Sequence, residues 1–558
     1  VVNFIVRAVD DILKDEFGLK DGLADTSKTK IKVKVPTHDK RYKEGLVDEE
    51  REVHKVQILD PATGTGTFLA EVVKQIYTRF EGQQGIWKQY VEKHLIPRLN
   101  GFEILMASYA MAHLTLDLLL RKTGVIPSGT QRFKVYLTNT LEEHHEGEFS
   151  LFAKVISDEA NEANHIKRDT PVMVVLGNPP YSGESFNKGS WIMKLMEDYK
   201  KEPGGKSKLK ERNPKWLNAD ENKFIRYGQY LVEKNGEGVL AFINPHGFID
   251  NPTFRGMRWK LLDAFDQIFI FDLHGNSNKK EVSPDGSPDV NVFNILQGVS
   301  INFFVKKKKS KNELAEVYHS EIYGAREKKF DILLNSNVKD LGYQKIKPRP
   351  PFYFFQDKNY KIFSTYEKGF KVSELFPVNV LGFQTHRDDF AISTSKVVLE
   401  KRIYDFINLD NDVKYLKEKY SINESNSWKI EKQRRLIKEE EITSLISKSA
   451  YRPFDEQYVT FDKAINDRPR TELIQHVIGK ENISLLCSRQ QAKLGYRHVF
   501  IANSPANDCV MSTTSREANQ VFPLYLYPEK STQQTLDGKR ERTPNLDMKI
   551  VQEIAEML

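Results

Sequence analysis

The 558-residue sequence predicts an α/β protein in two parts, a doubly wound sheet of seven strands over residues 1–340 and a mixed α+β domain over 341–558. Three observations predict it. Up to about residue 306, apolar β-rich runs alternate with stretches of helical period, the pattern of a sheet covered by helices on both faces. One run, ending at Asp60, passes through a glycine-rich turn into a helical pattern, as strand–turn–helix units do. After Lys306-Lys307-Lys308-Lys309 the alternation stops, and strand-like pieces such as 371–383 mix with a charged helical stretch, 396–448.

The elements follow in order. Val2 to Leu13 reads as an amphipathic helix entered in its middle, with no initiator methionine before it, so the chain is expected to be part of a longer protein. The polar stretch 26–53 reads as a loop. Candidate strands are Val56 to Leu59, Leu99 to Phe102, Phe133 to Leu137, Val172 to Leu176, Val239 to Ile243, Ile268 to Phe271 and Val299 to Val305. A second loop or lid, 183–220, contains Pro203-Gly204-Gly205 and several lysines. Residues 275–288 are too rich in Asn, Ser, Gly and Pro for a crossover helix, so the seventh strand is expected to run antiparallel. The chain ends in helical sequence, Leu546 to Leu558.

Bulk properties exclude several classes. No apolar run approaches the roughly 20 residues of a membrane span, and no basic-then-apolar leader is present, so a cytoplasmic protein is expected. Two cysteines, Cys487 and Cys509, are too few for a disulfide framework. Neither they nor His144-His145 have metal-ligand spacing, so no metal is expected. The net charge of +7 is a thin excess of 84 basic over 77 acidic residues and decides little about partners. Gly205-Lys206-Ser207 lacks the preceding strand and glycine of a phosphate-binding loop and reads as a solvated basic loop.

The first motif carrying chemistry is Ile58-Leu59-Asp60-Pro61-Ala62-Thr63-Gly64-Thr65-Gly66-Thr67-Phe68. Gly64 and Gly66 let the backbone approach a ligand closely, and Asp60 ends its strand at the mouth of the sheet, where a nucleotide-like ligand fits. A glycine-rich turn alone is equally a geometric device. It gains weight from Glu103, which ends the next strand and is placed to accept bonds from a ribose diol.

The second motif is Leu176-Gly177-Asn178-Pro179-Pro180-Tyr181, at the end of the fourth strand. Pro179 and Pro180 fix the chain and remove two N–H donors, leaving carbonyl acceptors beside the Asn178 side-chain oxygen. Two acceptors on the hydrogens of an exocyclic amine make its nitrogen more tetrahedral and nucleophilic, and Tyr181 can stack on a base turned out of a duplex.

This pair resembles the cofactor and catalytic motifs of amino-methyltransferases, in the order of the gamma class that methylates adenine N6. Residues 176–192, Arg387-Asp388-Asp389-Phe390, Tyr451-Arg452-Pro453-Phe454-Asp455 and Arg468-Pro469-Arg470 resemble the type ISP single-polypeptide restriction-modification enzymes, over essentially the whole chain. The resemblance implies a Rossmann-like seven-stranded methyltransferase sheet followed by a DNA target-recognition domain. It implies S-adenosylmethionine, with Asp60, Ala62, Gly64 and Gly66 around its methionine end, Thr63 and Phe68 also cofactor-binding, Glu103 on the ribose, Ile104 against the adenine, and Asn139 in the next cofactor motif, where an acidic residue is usual. Phe293 would meet the flipped base opposite Tyr181. Methyl transfer needs no metal, and ATP and Mg would act only through nuclease and ATPase regions covalently linked in the full-length enzyme.

In the second half Arg387, Arg489, Gln490, Gln491 and Arg497 are residue types that make paired contacts to base edges of double-stranded DNA, although most such arginines touch phosphate. Two other functions fit the sequence: a DNA-binding fragment without catalysis of its own, and an amine methyltransferase acting on RNA or protein.

Overall fold

The computed structural model describes residues 1–557 apart from 37–45, 127–131, 144–153, 184, 212–213, 309–312, 426–427, 489–498, 512–517 and 529–541. It divides into two compact units, 1–358 and 359–558. The division lies beyond residue 340 because residues 341–358 pack on the first unit. A strand at Gln344–Ile346 joins its sheet, the Phe355 N–H donates to the Ile249 carbonyl, and the Phe352 carbonyl accepts two bonds from Arg258.

The first unit opens on the helix Val2–Phe17, whose apolar stripe buries Phe4, Ile5, Val9 and Leu13 and which ends at Gly18 in the left-handed conformation. The segment 26–53, expected as a loop, instead carries two strands. Strands β1 (Lys28–Pro36) and β2 (Leu46–His54) pair antiparallel. Lys30 and Lys32 alternate with Ile31 and Val33, a period-2 pattern that the high charge of the segment obscures.

All seven expected strands form: β3 (Gln57–Asp60), β4 (Leu99–Glu103), β5 (Lys134–Leu137), β6 (Val172–Gly177), β7 (Gly238–Pro245), β8 (Gln267–Asp272) and β9 (Val299–Lys306). Two more, β10 (Glu316–Glu321) and β11 (Gln344–Ile346), extend the sheet to nine, in the order β11-β10-β8-β9-β7-β6-β3-β4-β5. β9 runs antiparallel between β7 and β8, as the polar connection at 275–288 requires. The parallel neighbours β5, β4, β3, β6 and β7 therefore bring Leu137, Glu103, Asp60, Gly177 and Pro245 to one edge. The chain reverses its winding between β3 and β6, so a crevice opens at that edge between them.

Both faces are buried, and strand period assigns each residue to one of them. Val239, Ala241 and Ile243 of β7 join the apolar cluster with Phe4, Leu69 and Leu116, while Leu240 and Phe242 join the one with Ile225, Leu231 and Leu261.

An ion pair beneath the edge holds the connection from β8 to β9. Lys329 and Asp289 have fully buried side chains 2.7 Å apart; the ammonium also donates to the Leu273 and Val290 carbonyls, and the carboxylate accepts from the Gly275 and Gly324 N–H groups. Removing one partner leaves a buried uncompensated charge. Lys329→Met is therefore expected to destabilise the first unit by about 3–5 kcal/mol, measured as a lowered urea midpoint.

The second unit is mixed α+β. A three-stranded sheet (Ile392–Ser393, Asp455–Thr460, Ile446–Arg452) and a four-stranded one (Val380–Leu381, Asn519–Pro523, Ser484–Ser488, Val499–Ala502) each carry an apolar core. The charged stretch 396–448 is three helices, Lys396–Ile407, Val413–Tyr420 and Ile430–Arg434, followed by short turns and the start of a strand. Residues 371–383 hold a helical turn at Val372–Leu375 and only two strand residues.

Candidate active site

β3 ends at Asp60, and the turn to the helix Thr67–Tyr77 is drawn tight by local bonds. The Thr63 N–H donates to the Phe102 carbonyl at 2.9 Å and its hydroxyl to the Asp60 carbonyl at 3.0 Å. Gly66, at φ 85°, caps that helix where a Cβ would press on the Ala112 backbone at 3.1 Å. Two glycines elsewhere make the turn possible. A Cβ at Gly101 would lie 2.5 Å from the Thr63 hydroxyl, and one at Gly177 would lie 2.8 Å from Asp60 Oδ1.

The Asp60 carboxyl is buried; Oδ1 accepts from the Ala62 N–H at 3.1 Å, while Oδ2 has no partner. Burial raises its pKa to about 7; the Ala62 bond opposes the rise and Glu103 adds to it. Glu103, at the end of β4, accepts from the N–H groups of Gly64 (2.8 Å), Ile104 (2.9 Å) and Leu105 (2.7 Å). Beyond it Ile104, Leu105 and Met106 form an exposed apolar ledge. At the end of β5, Asn139 donates to Glu142 and Asn187 and accepts from the Leu141 N–H. Phe68 is buried in the core of the first helix layer, and Ala62 is half-buried at the turn.

At the end of β6, Asn178 and Pro180 are exposed and Pro179 is buried. The Tyr181 hydroxyl lies 2.7 Å from Asn178 Oδ1 and 3.3 Å from the Ile243 carbonyl. Burial pushes the Tyr181 pKa well above the ordinary phenol value, so the hydroxyl stays a donor. A donor at that oxygen fixes which way the Asn178 amide points and leaves the oxygen a second lone pair. Phe293 is half-buried against the core, its N–H donating to Asn291 and its carbonyl accepting from Arg326.

Sequence reasoning missed two groups at this edge. The Glu221 carboxyl accepts the Ser182 N–H just past the Asn178–Tyr181 turn; its buried Oε2 has no partner, and burial raises its pKa to about 7. Farther along, His246 at the end of β7 and His274 beyond β8 form a buried network. His246 Nδ1 faces Asp272, its Nε2 faces Asn276, and His274 lies between Glu281 and Glu321 with its ring stacked on Tyr323 at 3.8 Å. Ligating atoms of His246, His274 and Glu281 lie within 4.8 Å of one another, but every ring nitrogen there already has a hydrogen-bond partner. The carboxylates outweigh burial and raise the His274 pKa to about 10, so the ring is an imidazolium paired within its own cluster.

In the second unit, the Arg387 guanidinium lies 3.8 Å over the Trp428 ring and donates to the Thr385 and Ile465 carbonyls. The segments around Arg387, Tyr451 and Arg468 converge: Tyr451 donates to Asp388 at 2.7 Å, Arg452 reaches the same carboxylate, and the Arg468 N–H bonds the Gln384 carbonyl. Arg489, Gln490, Gln491 and Arg497, like His144-His145, lie outside the described residues.

A glycine-rich turn with a buried carboxyl beside it, an acidic residue ending the next strand and an Asn-Pro-Pro-Tyr turn on the adjacent strand define a methyltransferase, and residues 44–252 match the family model for the N-6 DNA methylases. Residues 374–557 match the family model for the type ISP C-terminal specificity domain, so an N-6 DNA methylase portion is followed in this chain by a type ISP specificity portion. No curated protein matches the chain. Among solved structures it is similar to LlaBIII, an ATP-dependent type ISP restriction-modification enzyme bound to DNA (TM-score 0.71, 21% identity, 99% of this chain and 35% of that one). It is also similar to a nuclease-deletion mutant of the type ISP enzyme LlaGI with a DNA substrate mimic (0.68, 21%, 98% and 42%) and to the DrdV–DNA complex (0.67, 21%, 99% and 50%). The chain thus spans half or less of the length of these relatives. Among the described residues no helix is long and apolar enough to cross a membrane.

Proposed function

We propose that the chain transfers a methyl group from S-adenosylmethionine to the N6 amine of an adenine turned out of duplex DNA, at a site chosen by residues 359–558. The observation that carries this is the unpartnered Asp60 Oδ2 at the end of β3, one strand from Asn178 at the end of β6. Neighbouring strands lie about 4.8 Å apart, so a ligand held at Asp60 and an amine held at Asn178 lie side by side.

The residues present fit the cofactor. Asp60 offers a buried acceptor, Gly64 has open space where a Cβ would stand and so allows close approach, Glu103 suits a diol, and the ledge at Ile104 offers an apolar face. When bound, S-adenosylmethionine supplies an electrophilic methyl group. Asn178 Oδ1 and the Pro179 carbonyl accept the two amine hydrogens and hold the nitrogen lone pair toward Asp60, while Tyr181 stacks on the base. The amine proton is lost after transfer, so no strong base is needed.

In a full-length enzyme the methylase and specificity portions would protect host DNA, with nuclease and ATP- and Mg-using regions outside this chain. A cytoplasmic location follows from that role. The test is transfer of labelled methyl from S-adenosylmethionine to duplex DNA. Label recovered as N6-methyladenine is expected, and no label in adenine-containing duplexes would sink the proposal.

A further inference from the structure

Past the Asn178–Tyr181 turn the chain is held firmly at Ser185 and Asn187. Both anchors come from one helix, Asp220–Asn235. Buried Lys223 donates to the Ser185 hydroxyl and the Asn187 carbonyl, and buried Asp220 accepts from the Ser185 hydroxyl and the Asn187 amide. The Asn187 N–H donates to the Ser185 hydroxyl, and its side-chain oxygen accepts from Asn139 at 3.1 Å. The helix packs on β6 and β7, so the clamp is fixed to the strand that presents Asn178.

Between the two clamped residues stands Phe186, 94% exposed. Exposure of one ring is ordinary by itself; what sets Phe186 apart is that the backbone on both sides of it is anchored by buried side chains, so the ring is held at a fixed place in water. Its surroundings give the partner's chemistry. Trp216 is half exposed, with its ring 3.9 Å from where a Cβ of Gly183 would stand; Lys215 lies 5.2 Å over that ring, and Lys188 is exposed two residues beyond Phe186. Aromatic faces interleaved with lysines suit bases and phosphates.

We propose that the clamp formed by Asp220 and Lys223 presents Phe186 as an aromatic contact to duplex DNA beside the target base. This rests on DNA being the partner, as in the proposed function, but not on methyl transfer occurring. The ring contributes by stacking against a base or a deoxyribose, with Lys188 and Lys215 beside the phosphates.

Because Phe186 is almost wholly exposed, its substitution leaves the fold intact. The test is the equilibrium affinity of the whole chain for fluorescently labelled duplex DNA, with cofactor affinity and unfolding midpoint as controls. Phe186→Ala is expected to weaken DNA binding on the order of tenfold, Phe186→Tyr to keep it within about twofold, and both controls to stay unchanged. Asn187→Ala, which removes the side-chain bonds to Asp220 and Asn139 and so loosens the clamp while leaving the ring, is expected to weaken DNA binding in the same direction. DNA binding unaltered by Phe186→Ala, or lost equally in Phe186→Tyr, overturns the inference, as does a chain with no affinity for DNA. DNA binding sensitive to Phe186 in a chain that transfers no methyl group upholds the inference and overturns the catalytic proposal alone.

Discussion

Asn178→Ala is expected to slow methyl transfer by about 10²–10³-fold while leaving cofactor affinity and the unfolding midpoint unchanged. The side chain is exposed at the end of β6, so its loss opens no cavity. What goes is an acceptor aimed at charge that develops on the amine, an interaction made more strongly in the transition state than before it. Single-turnover transfer of labelled methyl, beside calorimetry of cofactor binding, separates the two effects. Tyr181→Phe keeps the ring but removes the hydroxyl that fixes the Asn178 amide, so a smaller loss on the same rate is expected. An Asn178→Ala variant within threefold of the unsubstituted rate would show that the amine is activated elsewhere.

The second large effect falls on Asp60, with opposite signs for binding and stability. Its pKa is about 7 in the folded protein against an ordinary 3.8, so between those values the folded state keeps a proton that the unfolded state has released. Stability therefore falls as pH rises through that window, because an uncompensated carboxylate is being made inside the protein. Asp60→Asn removes that cost and is expected to raise the unfolding midpoint of the unliganded protein at pH 8. The same substitution removes the anion available to the cofactor and is expected to weaken its binding by about 2–5 kcal/mol. In the unsubstituted protein, cofactor affinity is expected to rise as pH passes 7 and the carboxyl ionises. Calorimetric titrations at pH 6 and 8, beside thermal unfolding at both, test this; a variant that loses affinity without gaining stability would place the cost of burial on another group.

The sequence by itself determined the elements whose signals are local. Short continuous apolar runs marked β3 to β9, because both faces of the sheet are buried under helices. The segments 60–66 and 178–181 were legible for a similar reason: glycines at positive φ and paired prolines constrain the backbone at those positions, whatever surrounds them. The polar connection at 275–288 told the direction of β9 through the absence of a crossover helix.

Only the tertiary structure decided what depends on residues far apart in the chain. The insertion of β9 between β7 and β8 and the addition of β10 and β11 are choices of strand partner, which the period of a single strand does not encode. The Asp60 carboxyl fits at the end of β3 because Gly177, 117 positions later, leaves space beside its Oδ1, and the Thr63 turn closes because Gly101 yields to its hydroxyl. Asp220 and Lys223 meet Ser185 and Asn187, and Arg387 meets the Trp428 ring, only once the chain is folded. A side chain's residue type sets what it can bond, but folding sets which of the competing partners it meets, and for a buried polar group that choice fixes both its charge and its role.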